Sequence, residues 1–440
     1  MKTKLNFLFP IVVILGIASV AVCEANVQLS MPKNFRIIDG ICYELNSNNK
    51  TALVSTWMTT APCQQYPEGW YYSYDIQGNL IIPSTIEIDS EDYCVVGFNK
   101  PFRCSYNVQL DTVSIPSTIT VVSPYAFLNQ NVSYIKYLIL PPTMTTIGNG
   151  AFSGHVYDMN TNFPESLDSL GNEAFYELRM HEIDIPGHIT KMGTFIFANS
   201  SLEKVSFGEG INEIKEGMFY QCPIREIHWA STIQVIGYGA FYNNQIKTLE
   251  IPSSIRHIDD WAFGFNYLTD LKINEGVETI GEGAFSYNRS NTTLSLDLPS
   301  TLKSIGNEAF KKGNIRKVVI PANVKSIGDK AFEGCPIDTV ISLIEDPRNT
   351  PLPFAAFDES VFLYTPLFVP KGCVDAYRRT IYWNKFYDIF ELDMSPIEQI
   401  AIDKKEQRYF TIDGKEVSVP ERGLYILKEE NGKERKVLLK

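Results

Sequence analysis

Apolar and polar positions recur along this chain in a repeat of 22 to 25 residues. A fixed period of that length predicts a stack of like units, a solenoid, and argues against a compact globule. Solenoids present long surfaces to partners and seldom enclose the deep pocket that catalysis needs. The clearest marker of the repeat is a phenylalanine, which recurs at Phe102, Phe127, Phe152, Phe175, Phe197, Phe219, Phe241, Phe263, Phe285, Phe310, Phe332 and Phe357.

Within each repeat, an alternating apolar segment ends eleven residues before the phenylalanine, at a residue that we call position zero. In the clearest copy Leu249 and Ile251 precede Pro252 at position zero. Alternation predicts a short strand with one buried face, and proline suits its end because it has no N–H to donate. The stretch from Ile280 to Phe285, of the form Ile-Gly-x-x-Ala-Phe, then returns the chain across the stack. We expect its glycine to permit a turn and its alanine to let the next coil approach.

In several copies a further position, three residues after the phenylalanine, is occupied by asparagine or cysteine. Such a position is typical of leucine-rich repeats, where its side chain caps backbone groups of the turn. The whole pattern resembles the bacterial surface-antigen type of leucine-rich repeat, the BspA-like family, over about residues 80–392. This resemblance implies a leucine-rich-repeat β-solenoid whose short parallel strands stack in one sheet. The corner residues are Cys222, Asn244, Asn266, Asn288 and Cys335.

The whole chain divides into five predicted segments. They are a signal peptide (1–25), an N-terminal β-hairpin cap (26–80), the repeats (81–365), a C-terminal cap (366–393) and a β-tail (394–440). Polar residues 46–50 separate the two strands of the hairpin, and Asp-Gly and Asn-Gly pairs mark hairpin turns in the tail. The tail resembles the C-terminal sorting domains of exported Bacteroidota proteins, and it is interpreted as either a sorting signal or a β appendage.

The N-terminus has the features of a secretory signal peptide. Lys2 and Lys4 precede an apolar run that is short for a membrane span. The sequence is compatible with cleavage after Cys23 or Ala25, and alternatively with lipidation of Cys23. Lipoprotein signals prefer a small residue before the cysteine, and Val22 is larger than usual. We therefore expect a secreted or cell-surface protein, attached to the outer membrane only through a lipid or surface anchor.

Composition narrows the classes of partner. The formal net charge of −12 disfavours nucleic acid and anionic membranes, both of which attract basic patches. An oxidising compartment permits disulfides among Cys42, Cys63, Cys94 and Cys104, with no pairing defined by the sequence. The sequence has neither the C-x-x-C nor the paired-histidine spacing of a zinc site, so no metal or cofactor is predicted.

A search for catalytic motifs identifies no enzyme signature. The nucleophile elbow, the H-E-x-x-H motif, the P-loop and the dinucleotide fingerprint are all absent from the sequence. Cys222 lies six residues before His228, which suggests a thiol nucleophile. A buried corner cysteine and an outward histidine explain the same spacing and are favoured, so no catalytic residue is predicted.

The candidate binding residues are the outward positions of the predicted strands, two and four residues before position zero. Adjacent repeats would place them side by side in a polar, mostly acidic ribbon, which suits a protein or glycan partner. The alternative is a sheet face that is merely solvated. A second row, with Tyr176, Tyr220 and Tyr242, is interpreted as packing between coils. The predicted ligand-binding residues are Glu182, Asp184, Glu226, His228, Glu250, Asp270, Lys272 and Asp297.

The sequence thus predicts a non-catalytic binding protein. Family resemblance implies adhesion to host extracellular-matrix proteins, to other bacteria or to glycans. The alternatives are an enzyme or accessory module in glycan capture, and a structural surface-layer protein. An aromatic cluster at residues 66–74 suggests carbohydrate stacking, but packing within the cap is the favoured explanation. Neither ligand identity nor oligomeric state follows from the sequence.

Overall fold

A computed structural model describes residues 34–39, 41–55, 78–99, 108–127, 132–154, 156–159 and 163–392, and the backbone of four strands in the tail. Several sequence predictions lie outside these residues. They are the signal peptide, Cys23, the first phenylalanine of the repeat, two of the cysteines considered for disulfides and the aromatic cluster at residues 66–74.

The repeats form a β-solenoid, which confirms the predicted fold class. Each typical coil has a front strand before position zero and a two-residue side strand at positions +5 and +6, and equivalent strands pair in parallel. The front strands are Gly78–Ile81, Val108–Ser114, Val132–Ile139, Glu182–Ile185, Lys204–Phe207, Glu226–His228, Thr248–Ile251, Asp270–Ile273, Leu294–Asp297, Ile315–Ile320 and Thr339–Ser342. The side strands are Val121–Val122, Thr146–Ile147, Ser169–Leu170, Lys191–Met192, Glu213–Ile214, Val235–Ile236, His257–Ile258, Thr279–Ile280, Ser304–Ile305 and Ser326–Ile327.

The second ladder was not part of the prediction, which described one sheet. Each side strand has only two residues, typically a half-buried one followed by a buried one, such as Thr279 and Ile280. Two residues are too few to reveal the period of a strand.

The repeated phenylalanines form the centre of the core. From Phe127 to Phe357, eleven rings stack with centroids 5.1–5.9 Å apart and planes within 18° of parallel. Phe98 meets the first ring edge-on, and Phe362 and Phe386 meet the last ring in the same manner. Offset stacking is a favourable geometry for aromatic pairs, so the stack adds to the hydrophobic effect of burial.

The corner position caps backbone groups of neighbouring coils. Asn266 donates from Nδ2 to the carbonyl of Phe241 at 2.9 Å and accepts at Oδ1 from the N–H of Ile246 at 3.0 Å. Asn244 and Asn288 repeat this arrangement, with the acceptor contact of Asn288 longer at 3.4 Å. The buried thiol of Cys222 donates in the same place, to the carbonyl of Phe197 at 3.1 Å. Burial raises the pKa of that thiol to about 12.

The glycine of the repeat has a different role from the predicted one. Gly306, seven residues after position zero, has no left-handed φ, but a Cβ there would lie 2.5 Å from the backbone carbon of Gly281 in the preceding coil. It is therefore needed for close approach. The left-handed residues come two and six positions later, where even Trp261 and Phe265 have φ of 60° and 58°. Nothing in the structure explains why other coils accept Ser, Lys or Asp at the glycine position.

The N-terminal end of the solenoid is covered by a five-stranded mixed sheet. Its strands, in spatial order, are Phe35–Ile38, Ile41–Asn46, Thr51–Ser55, Glu91–Phe98 and Thr85–Ile88. The second and third strands form an antiparallel hairpin. The sheet continues past residue 80 because the fourth strand pairs in parallel with the third.

The C-terminal end is closed by two short helices, two 3-10 turns and two strands. The parallel strands Leu367–Val369 and Ile389–Glu391 extend the last front ladder. Trp383 is fully buried and donates from Nε1 to the carbonyl of Thr350 at 2.9 Å. The helices are Glu359–Tyr364 and Val374–Arg379, and the 3-10 turns are Pro347–Asn349 and Trp383–Lys385. In the tail, the antiparallel strands are Arg408–Phe410, Glu416–Val417, Gly423–Lys428 and Glu434–Leu439.

One coil shows where the solenoid accommodates a longer repeat. Three extra residues separate Phe285 from Phe310, and they fall in the corner before the strand that begins at Leu294. There Asn314 donates to the carbonyls of Ser290 and Thr292 at 2.9 and 2.8 Å. The two phenylalanine rings still stack at 5.3 Å and 4°, so the insertion leaves the core unchanged.

Candidate functional site

The eight predicted ligand-binding residues all lie on the exposed face of the front ladder. We call them the front ribbon. Their neighbours are in register: Glu182 pairs with Lys204, which pairs with Glu226. In the next segment Glu250 pairs with Lys272. The ladder is hydrogen-bonded in segments, with breaks after the strands Glu226–His228 and Asp270–Ile273.

Lysine side chains neutralise part of the front ribbon, which the sequence had presented as mostly acidic. Lys272 Nζ lies 2.6 Å from Glu250 Oε1, and this contact, together with a hydrogen bond from Asn274, lowers the pKa of Glu250. A hydrogen bond from His228 lowers the pKa of Glu226, and Lys204 adds a weaker contact at 3.9 Å. These exposed pairs fix side-chain positions more than they stabilise the fold.

Three carboxylates of the front ribbon have no side-chain partner among the described residues: Glu182, Asp184 and Asp270. The similar Asp297 contacts Lys317 Nζ at 3.7 Å. Unpaired, solvated carboxylates are free to accept hydrogen bonds from basic groups.

The structure contains a second surface that sequence reasoning missed. An open groove of about 700 Å³ follows the side ladder through the coils from Tyr238 to Gly328. Because the glycines at position +7 have no side chain, the surface dips between a row of hydroxyl residues at +5 and a row of polar residues at +8. We call this groove the glycine trough. The signal available in the sequence was the set of small residues Thr279, Ser304 and Ser326, each two residues before a glycine.

The row that contains Tyr176, Tyr220 and Tyr242 contributes to packing between coils. Tyr220 and Tyr242 stack with centroids 4.9 Å apart and planes 6° from parallel, and both are half-buried. Tyr220 also contacts Phe195, and Tyr242 also contacts Phe265, with ring centroids 6.0 and 5.2 Å apart, so both rings pack against neighbouring coils.

The geometry around Cys222 and His228 does not suit a thiol nucleophile. Cys222 is buried and donates to a backbone carbonyl, while His228 is exposed on the front ribbon and contacts Glu226. A nucleophilic cysteine needs a lowered pKa, and burial raises that of Cys222. In the described part of the chain, no group of three or more His, Cys, Asp or Glu is arranged to hold a metal ion. None of the helices described has the length and apolar character that a membrane span requires.

A family model for the BspA-type leucine-rich repeat region matches residues 130–245 and 212–339, with six copies. The solenoid belongs to the BspA-type leucine-rich repeat family. The matched ranges include all eight residues of the front ribbon and the entire glycine trough. No curated protein gave a significant match to the chain.

Solved structures of other leucine-rich repeat proteins are similar to this chain at low sequence identity. A leucine-rich repeat protein from Bacteroides ovatus is 20% identical, with 70% of this chain and 94% of that chain covered and a TM-score of 0.38. The pneumococcal vaccine antigen PcpA is 16% identical, with coverages of 81% and 98% and a TM-score of 0.44. A leucine-rich cell surface protein from Faecalibacterium prausnitzii is 15% identical, with coverages of 81% and 94% and a TM-score of 0.38.

Proposed function

We propose that this protein is an exported, non-catalytic adhesion protein that binds a protein partner, such as a component of the host extracellular matrix, through the front ribbon. The observation that carries the proposal is the exposed row of unpaired carboxylates Glu182, Asp184 and Asp270. They stand on two hydrogen-bonded segments of the front ladder, in which equivalent side chains repeat at the strand spacing of about 4.8 Å. The N-terminal segment predicted as a signal peptide supports export.

The charge of these residues defines the partner's chemistry. Acidic groups on an open surface attract a basic partner at long range and form charge-assisted hydrogen bonds at contact. Their effect is screened within about 8 Å at physiological salt. Binding is therefore expected to weaken as ionic strength rises.

The test is a triple variant, Glu182→Gln, Asp184→Asn and Asp270→Asn, measured against immobilised fibronectin, fibrinogen and laminin. We expect the parent protein to bind at least one of them. The variant should bind at least tenfold more weakly, about 1.4 kcal/mol, with a reduced dependence on salt. The three positions are exposed, so thermal melting should be almost unchanged.

The matched control removes three exposed carboxylates elsewhere, in Glu216→Gln, Asp375→Asn and Asp388→Asn, so that net charge changes equally. This control should bind like the parent. Equal loss of binding in both triple variants would show that net charge alone matters. Absence of binding to all three matrix proteins would contradict a role in matrix adhesion.

Export is tested separately, by fractionation and protease treatment of intact cells. We expect a mature protein that lacks the N-terminal segment and is accessible from outside. Deletion of residues 394–440 should abolish surface display while the solenoid still folds, if the tail is a sorting signal. A cytoplasmic product that begins at Met1 would contradict the proposal of export.

A further inference from the structure

The glycine trough has two walls of different chemistry. The +5 wall consists of small hydroxyl residues, and among the described residues no hydrogen bond engages the hydroxyls of Ser304 and Ser326. The +8 wall contains Glu282 and Asn307, whose side chains contact each other at 3.4 Å. Both walls therefore offer polar groups to a ligand that lies along the solenoid axis.

The N-terminal end of the trough is closed by residues of a different kind. Asp259 replaces the floor glycine there, and no side-chain partner is described for its carboxylate. Partial burial raises its pKa, and the neighbouring Asp260 adds to that effect. Tyr238 stands beside them with 47% of its surface exposed. A carboxyl group next to an exposed aromatic ring is a combination that binds polyols, because the carboxylate accepts from hydroxyls while the ring covers an apolar face.

Close packing between coils explains the glycines on the floor of the trough, but it does not explain the small residues of the +5 wall. The glycines are required because a Cβ at Gly281 would lie 2.6 Å from the backbone nitrogen of Asp260. The +5 side chains are not constrained by that contact. Ser326 is exposed and Ser304 is half-buried, while Thr279 Oγ1 lies 2.9 Å from His257 Nδ1. Nevertheless they remain short in three successive coils, at Thr279, Ser304 and Ser326, which keeps the groove open.

The spacing of the walls selects among extended polymers. Equivalent groups of successive coils repeat along the trough at the strand spacing of about 4.8 Å, because the side strands pair in parallel and in register. One unit of an extended glycan has nearly this length and has hydroxyls on both edges, so successive sugars lie opposite successive coils and offer hydroxyls to both walls. An extended peptide advances about 3.3 Å per residue and alternates its side chains, so its repeat does not match the spacing of the coils. The carboxylates of Asp259, Asp260 and Glu282 repel an anionic glycan.

We propose that the glycine trough binds a neutral, extended glycan chain along the solenoid axis, with Asp259 and Tyr238 at one end of the site. The glycine trough is a separate surface from the front ribbon, and its proposed ligand belongs to a different chemical class. The site spans the coils from Tyr238 to Gly328, so affinity should rise with chain length up to the number of coils engaged.

The test is calorimetric titration of the full-length mature protein with cellohexaose, xylohexaose, mannohexaose and laminarihexaose, and with hexagalacturonate as the anionic comparison. We expect saturable binding of at least one neutral hexasaccharide, weaker binding of its disaccharide, and none of hexagalacturonate. The variants Ser304→Tyr and Ser326→Tyr each place a ring in the trough. Each should reduce affinity at least tenfold without loss of thermal stability.

The control is Ser295→Tyr, which places the same ring on the exposed front ladder. It should bind the hexasaccharide like the parent, and so should the triple variant of the front ribbon. This separates the two surfaces, because failure of matrix binding leaves the glycan result intact. Absence of binding to all four neutral hexasaccharides would overturn the proposal, and so would full affinity in a folded trough variant.

Discussion

Replacement of Asn266 by alanine tests the corner ladder that joins the coils. The side chain is buried and connects two adjacent coils, through the carbonyl of Phe241, the N–H of Ile246 and a 3.2 Å contact to the carbonyl of Phe263 in its own coil. In Asn266→Ala the carbonyl of Phe263 still accepts from Asn288. The other two backbone groups lose the only partners described for them.

The magnitude follows from those two groups. A buried polar group without a partner costs about 1–3 kcal/mol, so Asn266→Ala should destabilise the central coils by about 2–6 kcal/mol. The chain supplies its own matched control, because Cys222 occupies the same position in another coil and donates to the carbonyl of Phe197. Asn266→Cys should restore the bond to Phe241 and leave only the N–H of Ile246 unpaired, at about half the cost.

The assay must be local, because long repeat arrays need not unfold in one step. Native-state hydrogen exchange, followed by mass spectrometry, gives the opening free energy of the peptides around Phe241 and Phe263 separately from the ends of the solenoid. We expect the order parent, Asn266→Cys, Asn266→Ala in decreasing protection. A loss below about 1 kcal/mol in the alanine variant, or equal losses in both variants, would refute the capping argument.

Three further outcomes follow from the core. Phe263→Ala should cost about 3–5 kcal/mol, visible in thermal melting, because it removes a fully buried ring from the stack. Gly306→Ala should lower the melting temperature because its Cβ meets backbone at 2.5 Å, whereas Gly97→Ala, whose nearest contact is 3.4 Å, should be tolerated. Burial raises the pKa of Cys222 to about 12, so at pH 8 iodoacetamide should label the part-exposed Cys373 and spare Cys222 until the protein is unfolded; equal labelling in the folded protein would contradict its burial.

The core was predictable because its pattern repeats. Ten spaced copies identify the front strands, the phenylalanine row and the corner residues, since each occupies a fixed distance from Phe263 and its equivalents. The left-handed backbone was not predictable in the same way. Trp261 and Lys330 adopt it at one position and Gly283 at the equivalent one, so tertiary packing, not glycine content, imposes the conformation.

The candidate sites show a similar division. Alternation placed the eight ribbon residues on the exposed face, but the partial neutralisation of Glu226 and Glu250 depends on which strands are neighbours and on side-chain reach. The glycine trough was not predicted, because the repeated glycine was interpreted as a turn residue. Its shape arises from the absence of a side chain in a row, which only the stacked structure reveals.

The insertion after Phe285 has a consequence for how this protein can vary or be engineered. Extra residues at Asn291 leave the ring stacking of Phe285 on Phe310 at 5.3 Å, close to the 5.5 Å of the shorter coil before it. Chain length at this corner is therefore uncoupled from the alignment of the core. A foreign epitope grafted at one such corner would be displayed on a fixed edge. Grafts in successive coils would form an array whose spacing is set by the phenylalanines, with the front ribbon and the glycine trough left intact.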